Sequence, residues 1–216
     1  MSKRSLAVVF ALLLGAPGVV SARDTADVSA PMILVAKPEL RDQVYGSTIL
    51  VVMPLGGDEH VGFIVNRPST TSLGTVFPEH GPSQKVVDPV YLGGPLSQQV
   101  IFALVERKQS PSDQSFELMP GLYVAVDEET VDRIMRTESD HARFVAGLVV
   151  WQRSELRAEI ERGAWYVLPP DAHLALQKPS QGAWEELVSL SHQRAHSIYA
   201  RFSSSDEALL CQPDRC

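Results

Sequence analysis

Asn66-Arg67-Pro68 follows the apolar run Gly62-Phe63-Ile64-Val65 and holds residue types suited to ligand binding. An arginine offers a planar, permanently charged fork that fixes an anion in orientation as well as in charge. Gly93-Gly94-Pro95 could assist, because two glycines permit a backbone nest whose N–H groups face an anion. Both stretches also have an architectural reading. A residue before proline is held extended, so Arg67 suits a corner, and Asn66 can bond the main chain where a strand ends. Gly93 and Gly94 equally suit a tight turn against a neighbouring strand. Asn66, Arg67, Gly93 and Gly94 are therefore candidates for binding or for scaffold, and both alternatives stand.

Other chemistry-bearing residues are less organised. His192 and His196 lie four apart, but two imidazoles leave a zinc site short of ligands, and no Glu follows His192 to make H-E-x-x-H. His60 after Asp58-Glu59 and His141 after Asp140 read as surface residues. Ser47, Ser69 and Ser154 lack the G-x-S-x-G elbow, with Ser47 at a strand start and Ser154 placed to cap a helix. Glu155, Glu159 and Glu161 fall on one short helix, where Arg157 and Glu161 are spaced for a surface pair. No catalytic residue, metal site or cofactor is assigned. An enzyme would need His60, Glu59 or another polar pair to converge in a concave pocket.

The chain that must position these residues has 216 residues, 44% hydrophobic and 21% charged, which suits one core. Lys3 and Arg4, the apolar stretch SLAVVFALLLGAPGVV and the small residues of Val20-Ser21-Ala22 form the three-part pattern of a secretory signal peptide, cleaved after Ala22. Pro17 and Gly18 interrupt the stretch before it could span a membrane, so no stable anchor is expected after cleavage. Cleavage takes Lys3 and Arg4 from the 19 basic residues, leaving 17 against 26 acids and a net charge of −9. An acidic, exported chain with no basic stripe is not expected to bind nucleic acid. Localisation is expected to be periplasmic or secreted. Cys211 and Cys216 could then close a small disulfide loop, or remain two thiols on a tail, free or paired with another molecule.

Beyond a loose segment at residues 23–30, apolar runs predict strands over 32–36, 47–53 and 60–65. Gly56-Gly57-Asp58 supplies hairpin chemistry between the last two. The runs are unbroken rather than alternating, so each strand should be covered on both faces. Residues 69–86 read as a polar connection with a short piece around Leu73–Phe77. Strands follow at 90–92 and over QVIFALVER, then a hairpin in FELMPGLYVAV turning near Pro120-Gly121. Asp127 should cap a helix with Val131, Ile134 and Met135 on one side. A strand over 146–150, a helix capped by Ser154 and stopped by Gly163, a strand in AWYVLP, and a final amphipathic helix carrying Trp184, Leu187, Leu190 and Ile198 complete the pattern. Without regular strand-helix alternation this is an α+β chain.

The segments YGSTILVV, GFIVNRPS, PVYLGGPL and GLVVWQRSELRAEIERGAW, in this order, resemble the YqgE/AlgH family of bacterial proteins over about residues 31–168. Asn66, Arg67 and Pro68 match its N-R-P, and Gly93, Gly94 and Pro95 its G-G-P. Gly147, Trp151, Leu156, Glu159, Gly163 and Trp165 match the signature of its second half. The resemblance implies a single compact α+β domain with a strongly bent, mostly antiparallel sheet flanked by helices, and it implies no particular reaction. Met53-Pro54 stands where members commonly carry Glu-His, Ser154-Glu155 where Gly-Gln is usual, and Val150 where a glycine is frequent. Most members are cytoplasmic, so the export pattern is a further departure. One branch is named for transcriptional regulation, which export and acidity both oppose.

The expected organisation is thus a signal peptide at 1–22, a flexible segment at 23–30, the α+β domain at 31–189, and a C-terminal helical extension with its Cys-containing tail at 190–216. The function expected of it is non-catalytic binding of a protein or small anionic partner in the periplasm, with an envelope hydrolase or transferase as the alternative. The oligomeric state stays open.

Overall fold

The computed structural model describes residues 27–177 and 180–193. Strands β1 (Met32–Ala36), β2 (Ile49–Gly56) and β3 (Glu59–Ile64) form an antiparallel meander with Leu34 opposite Leu50 and Val51 opposite Phe63. Their unbroken apolar runs have a direct cause, since successive side chains alternate between faces. Ile33, Val35, Ile49, Val51 and Phe63 enter one core cluster, while Met32, Leu34, Leu50, Val52 and Ile64 enter another. The β2–β3 turn takes positive φ at Gly56, Gly57 and Asp58 (97°, 61° and 68°), a conformation that glycine and Asp tolerate best.

Polar strand β4 (Pro68–Ser72) pairs with β5 (Pro89–Leu92), which corrects the expected connection over 69–86. PSTTS carries no apolar alternation because it lies at the periphery of the sheet. Helix α1 (Leu73–Val76) follows, capped by the Ser72 side chain, which accepts from the Thr75 amide. Strand β6 (Leu96–Glu106) is followed by the hairpin β7 (Phe116–Met119) and β8 (Leu122–Ala125), turned by Gly121 at φ 82°. Helix α2 (Glu128–Thr137) starts at Asp127, whose side chain accepts from the Thr130 amide, and it buries Val131, Ile134 and Met135.

Strand β9 (Ala142–Trp151) is longer than the sequence predicts and joins the two halves of the sheet. Its first half pairs with β6 and, in parallel, with β5; its last residues pair with β3. The change of direction falls at Gly147, whose φ is 80°. Helix α3 (Glu155–Glu161) and strand β10 (Trp165–Leu168) follow, and β10 returns to pair with β1. The main path of the ten-stranded sheet runs β10-β1-β2-β3-β9-β6-β8-β7, curled and mostly antiparallel, with β5 and β4 branching from β9.

Two expectations at α3 and β3 are corrected. Ser154 occupies the helix entrance at φ 65°, yet its hydroxyl donates to Asp58 Oδ2 at 3.1 Å and caps nothing. Glu155 Oε2 accepts from the Gln152 amide instead. His60 is 1% exposed, because position 60 of β3 points inward beside Trp151 rather than into the turn. Its Nε2 donates to the Val28 carbonyl at 2.7 Å, and Nδ1 is buried without a partner among the described residues.

A short helix unforeseen in the sequence, α4 (Ala172–Ala175), is capped by Asp171. It precedes helix α5, described over residues 183–193. Ala183 and Leu187 of α5 are buried in the larger core, Trp184 Nε1 donates to the Ala36 carbonyl at 2.8 Å, and His192 bonds the Tyr166 hydroxyl. This segment therefore packs on the domain. Ile198, His196, Cys211, Cys216 and the expected signal peptide lie outside the described residues. Among the described residues no helix is long and apolar enough to cross a membrane.

Candidate functional site

The two glycine and arginine motifs meet in space. The Leu92 amide donates to the Arg67 carbonyl, the Gly93 amide to Ala146 O, and Gly93 O accepts from the Ile64 amide, each at 2.8 Å. A Cβ at Gly93 would stand 2.3 Å from the Gly147 carbonyl oxygen, and one at Gly94 would stand 2.2 Å from Leu148 main-chain atoms. Side chains are thus excluded where the β5–β6 link presses into the crease of β9. Asn66 closes the same corner from the other side. Its Oδ1 accepts from the Ile49 amide at 2.8 Å and its Nδ2 donates to Ser47 O at 3.0 Å. Arg67 is half-buried and donates to Gly46 O at 3.3 Å.

A larger cleft lies elsewhere, between α2 and the segment after α1, with β6 as its floor. Its volume is about 810 Å³, and Val100, Ile101, Val126, Val131, Met135 and Phe77 supply apolar lining. His80, Asp132, Arg136, Gln99, Glu128 and Glu129 supply its polar groups. His80 Nε2 lies 2.6 Å from Asp132 Oδ1, and an Arg136 guanidinium nitrogen lies 2.8 Å from Asp132 Oδ2. The hydrogen bond from Arg136 does most to hold the Asp132 carboxyl below the usual carboxylate range; desolvation opposes it, and the His80 hydrogen bond and then the charges of Arg136 and His80 add to the lowering. Ionised Asp132 only accepts, so His80 donates to it from Nε2. The Phe77 ring packs edge-on against His80, with centroids 6.4 Å apart. The cleft thus holds an oriented histidine above an apolar floor. Its lining contains no serine, threonine or cysteine to act as a nucleophile.

A second cleft of about 390 Å³ is lined by Tyr45, Val150, Trp151, Glu155, Ala158, Glu159 and Arg162. Glu159 Oε2 accepts from both indole N–H groups, Trp151 at 3.0 Å and Trp165 at 2.9 Å, and so ties α3 to β9 and β10. Burial, followed by the neighbouring Glu159, Asp42 and Glu155, raises the Tyr45 phenol above its ordinary value.

Arg143 is a major feature that sequence reasoning missed. It is 1% exposed and its guanidinium lies 4.5 Å from the centroid of the Tyr91 ring. It donates to the carbonyls of Val65 (2.5 Å), Ala175 (3.2 Å), Leu176 (3.3 Å) and Gln177 (3.0 Å). Burial lowers its pKa from the ordinary arginine value, opposed by the charges of Tyr91 and Asp88. The residue fastens the end of α4 to the sheet. Among the described residues no group of three or more His, Cys, Asp or Glu could hold a metal ion.

The architecture and these motifs define a curled-sheet α+β domain. Residues 33–195 match the AlgH-like family model, and the chain belongs to that family. A UPF0301 protein of Thermobifida fusca is 31% identical over 165 residues, spanning 72% of this chain and 83% of the relative. A UPF0301 protein of Coxiella burnetii is 27% identical over 73% of this chain and 86% of its own length. The solution structure of the AlgH protein from Pseudomonas aeruginosa superposes with TM-score 0.59 at 19% identity, covering 90% of this chain and 99% of that one. A crystal structure from Corynebacterium diphtheriae gives TM-score 0.61 at 23% identity over 74% and 85%. These likenesses establish the shared fold.

Proposed function

We propose that this chain is a non-catalytic, exported binding domain and that its recognition surface is the groove beneath α2. The observation that carries this reading is the groove itself, an open cleft of about 810 Å³ with an apolar floor and a polar rim. Clefts of that size and lining suit ligand or peptide recognition. The basic, apolar and small-residue pattern of residues 1–22 supports export, and the acidity of the remainder supports a partner other than nucleic acid. The Asn66-Arg67 and Gly93-Gly94 corner keeps its main-chain contacts in this reading and frames the sheet beside it.

Photo-cross-linking in cells tests the proposal, with a benzophenone residue at Gln99 in the groove and a control at Val87, which is 95% exposed. A partner captured from position 99 and not from 87, by protein whose N-terminus is Arg23 in the periplasmic fraction, supports both parts. Equal capture from both positions sinks the groove, and an uncut cytoplasmic chain sinks export.

One observation favours a hydrolase as a second reading. His80 held by Asp132 in a concave site is the arrangement of a general base, able to draw a proton from water. Turnover of simple esters that disappears in His80→Asn while the fold persists would replace the binding reading with this one.

A further inference from the structure

The groove beneath α2 also carries information about what lies in it, and the inference here rests on the binding reading above. Glu128 and Glu129 stand exposed on its rim, and neither has a hydrogen-bond or ion-pair partner among the described residues. Asp132 is already engaged by His80 and Arg136, so the cation of Arg136 is not available to offset the two glutamates. A small anion would meet repulsion at this rim, which reverses the charge expected of a ligand at Arg67.

The floor adds a shape. On β6 five residue steps separate Leu96 from Ile101, whereas their partners Leu148 and Ala146 on β9 are two steps apart. The surplus bulges out of register at Ser97, whose φ is 53°, and brings exposed Gln99 and half-buried Val100 to the groove. A bulge of this kind leaves main-chain groups unpaired and re-aims side chains at the rim of a sheet. Val100 and Ile101, half-buried at this point, offer an apolar face that an occupant would remove from water.

We propose that the groove takes an extended, cationic polypeptide segment, with its apolar side chains on the Val100–Ile101 floor and a Lys or Arg at Glu128 and Glu129. The floor contributes affinity by removing apolar surface from water, and the rim contributes sign selectivity and a dependence on salt.

The probe is the fluorescein-labelled peptide Gly-Val-Lys-Ile-Lys-Val-Gly, alongside the same peptide with glutamate for lysine, each titrated by anisotropy at low salt. The lysine peptide should bind at least about tenfold more tightly, a preference that Glu128→Lys with Glu129→Lys abolishes or inverts. Glu161→Lys, a charge change on α3, should leave the preference intact. Binding indifferent to peptide charge, or weakened as much by the α3 change, overturns the inference. Failure of both peptides, alongside capture of a partner from position 99, overturns it while leaving the groove as a binding site. Failure of the peptides together with absence of that capture overturns both. A self-association that needs Gln99 and Val100 would assign the groove to a second copy and also overturn it.

Discussion

Replacing Arg143 with methionine should be among the most destabilising single changes in the chain. The buried carbonyls of Val65 and Ala175 would each lose a donor, at about 1–3 kcal/mol apiece, and the cation over Tyr91 would be lost, at about 1 kcal/mol. Relief of the desolvated guanidinium returns part of this, so the net expectation is about 3–4 kcal/mol. Arg143→Lys keeps a charge but not the fork, and should cost about half as much, because one ammonium cannot reach both Val65 and the end of α4. Urea unfolding reads the stability, and amide exchange locates the effect. Protection should fall first around residues 172–177, whose last carbonyls Arg143 holds. If Arg143→Met lies within 1 kcal/mol of the parent, or α4 keeps its protection, the claim that this arginine fastens the domain is wrong.

Other outcomes follow from the same contacts. Gly94→Ala should cost at least ~3 kcal/mol, since the new methyl meets the Leu148 main chain rather than a flexible side chain; an unchanged melting temperature would contradict this. Asn66→Ala should cost about 2 kcal/mol by stranding the Ile49 amide, with Asn66→Asp between it and the parent because the acceptor remains; equal costs for both would place the effect elsewhere. Asp132 has a folded pKa below its unfolded value, so its contribution is present above about pH 4 and is lost as pH falls through the folded pKa. The stability gap between parent and Asp132→Asn should therefore narrow on acidification over that window; a gap that widens there would reverse the assignment.

The strands of the first half were open to sequence reading because β1, β2 and β3 are covered on both faces, so each appears as an apolar run of strand length. The capped start of α2 was equally open, since Asp127 and the spacing of Val131, Ile134 and Met135 are local signals. Arg143 was hidden by the same logic. The strand was expected only from Ala146, and the charge at position 143 is compensated by carbonyls 32 to 78 residues away in the chain, which no local signal announces. His60 was hidden by its acidic neighbours, although the inward phase of β3 decides its place. The groove could not be read at all, because His80 and Asp132 are 52 residues apart and Gln99 reaches the site through a bulge. The glycine pair was visible as a conformational signal, but its reason is a close approach to β9 that only the sheet's curl creates.

The central claim is that recognition occurs beneath α2, and chemical-shift mapping of the isotope-labelled chain titrated with the lysine peptide tests it most directly. The account predicts perturbations gathered at Phe77, His80, Gln99 to Ile101 and Val126 to Arg136, with Val150 to Arg162 unmoved. Perturbations centred instead on Tyr45, Trp151 and Glu159, or on Arg67 and Gly93, would contradict it.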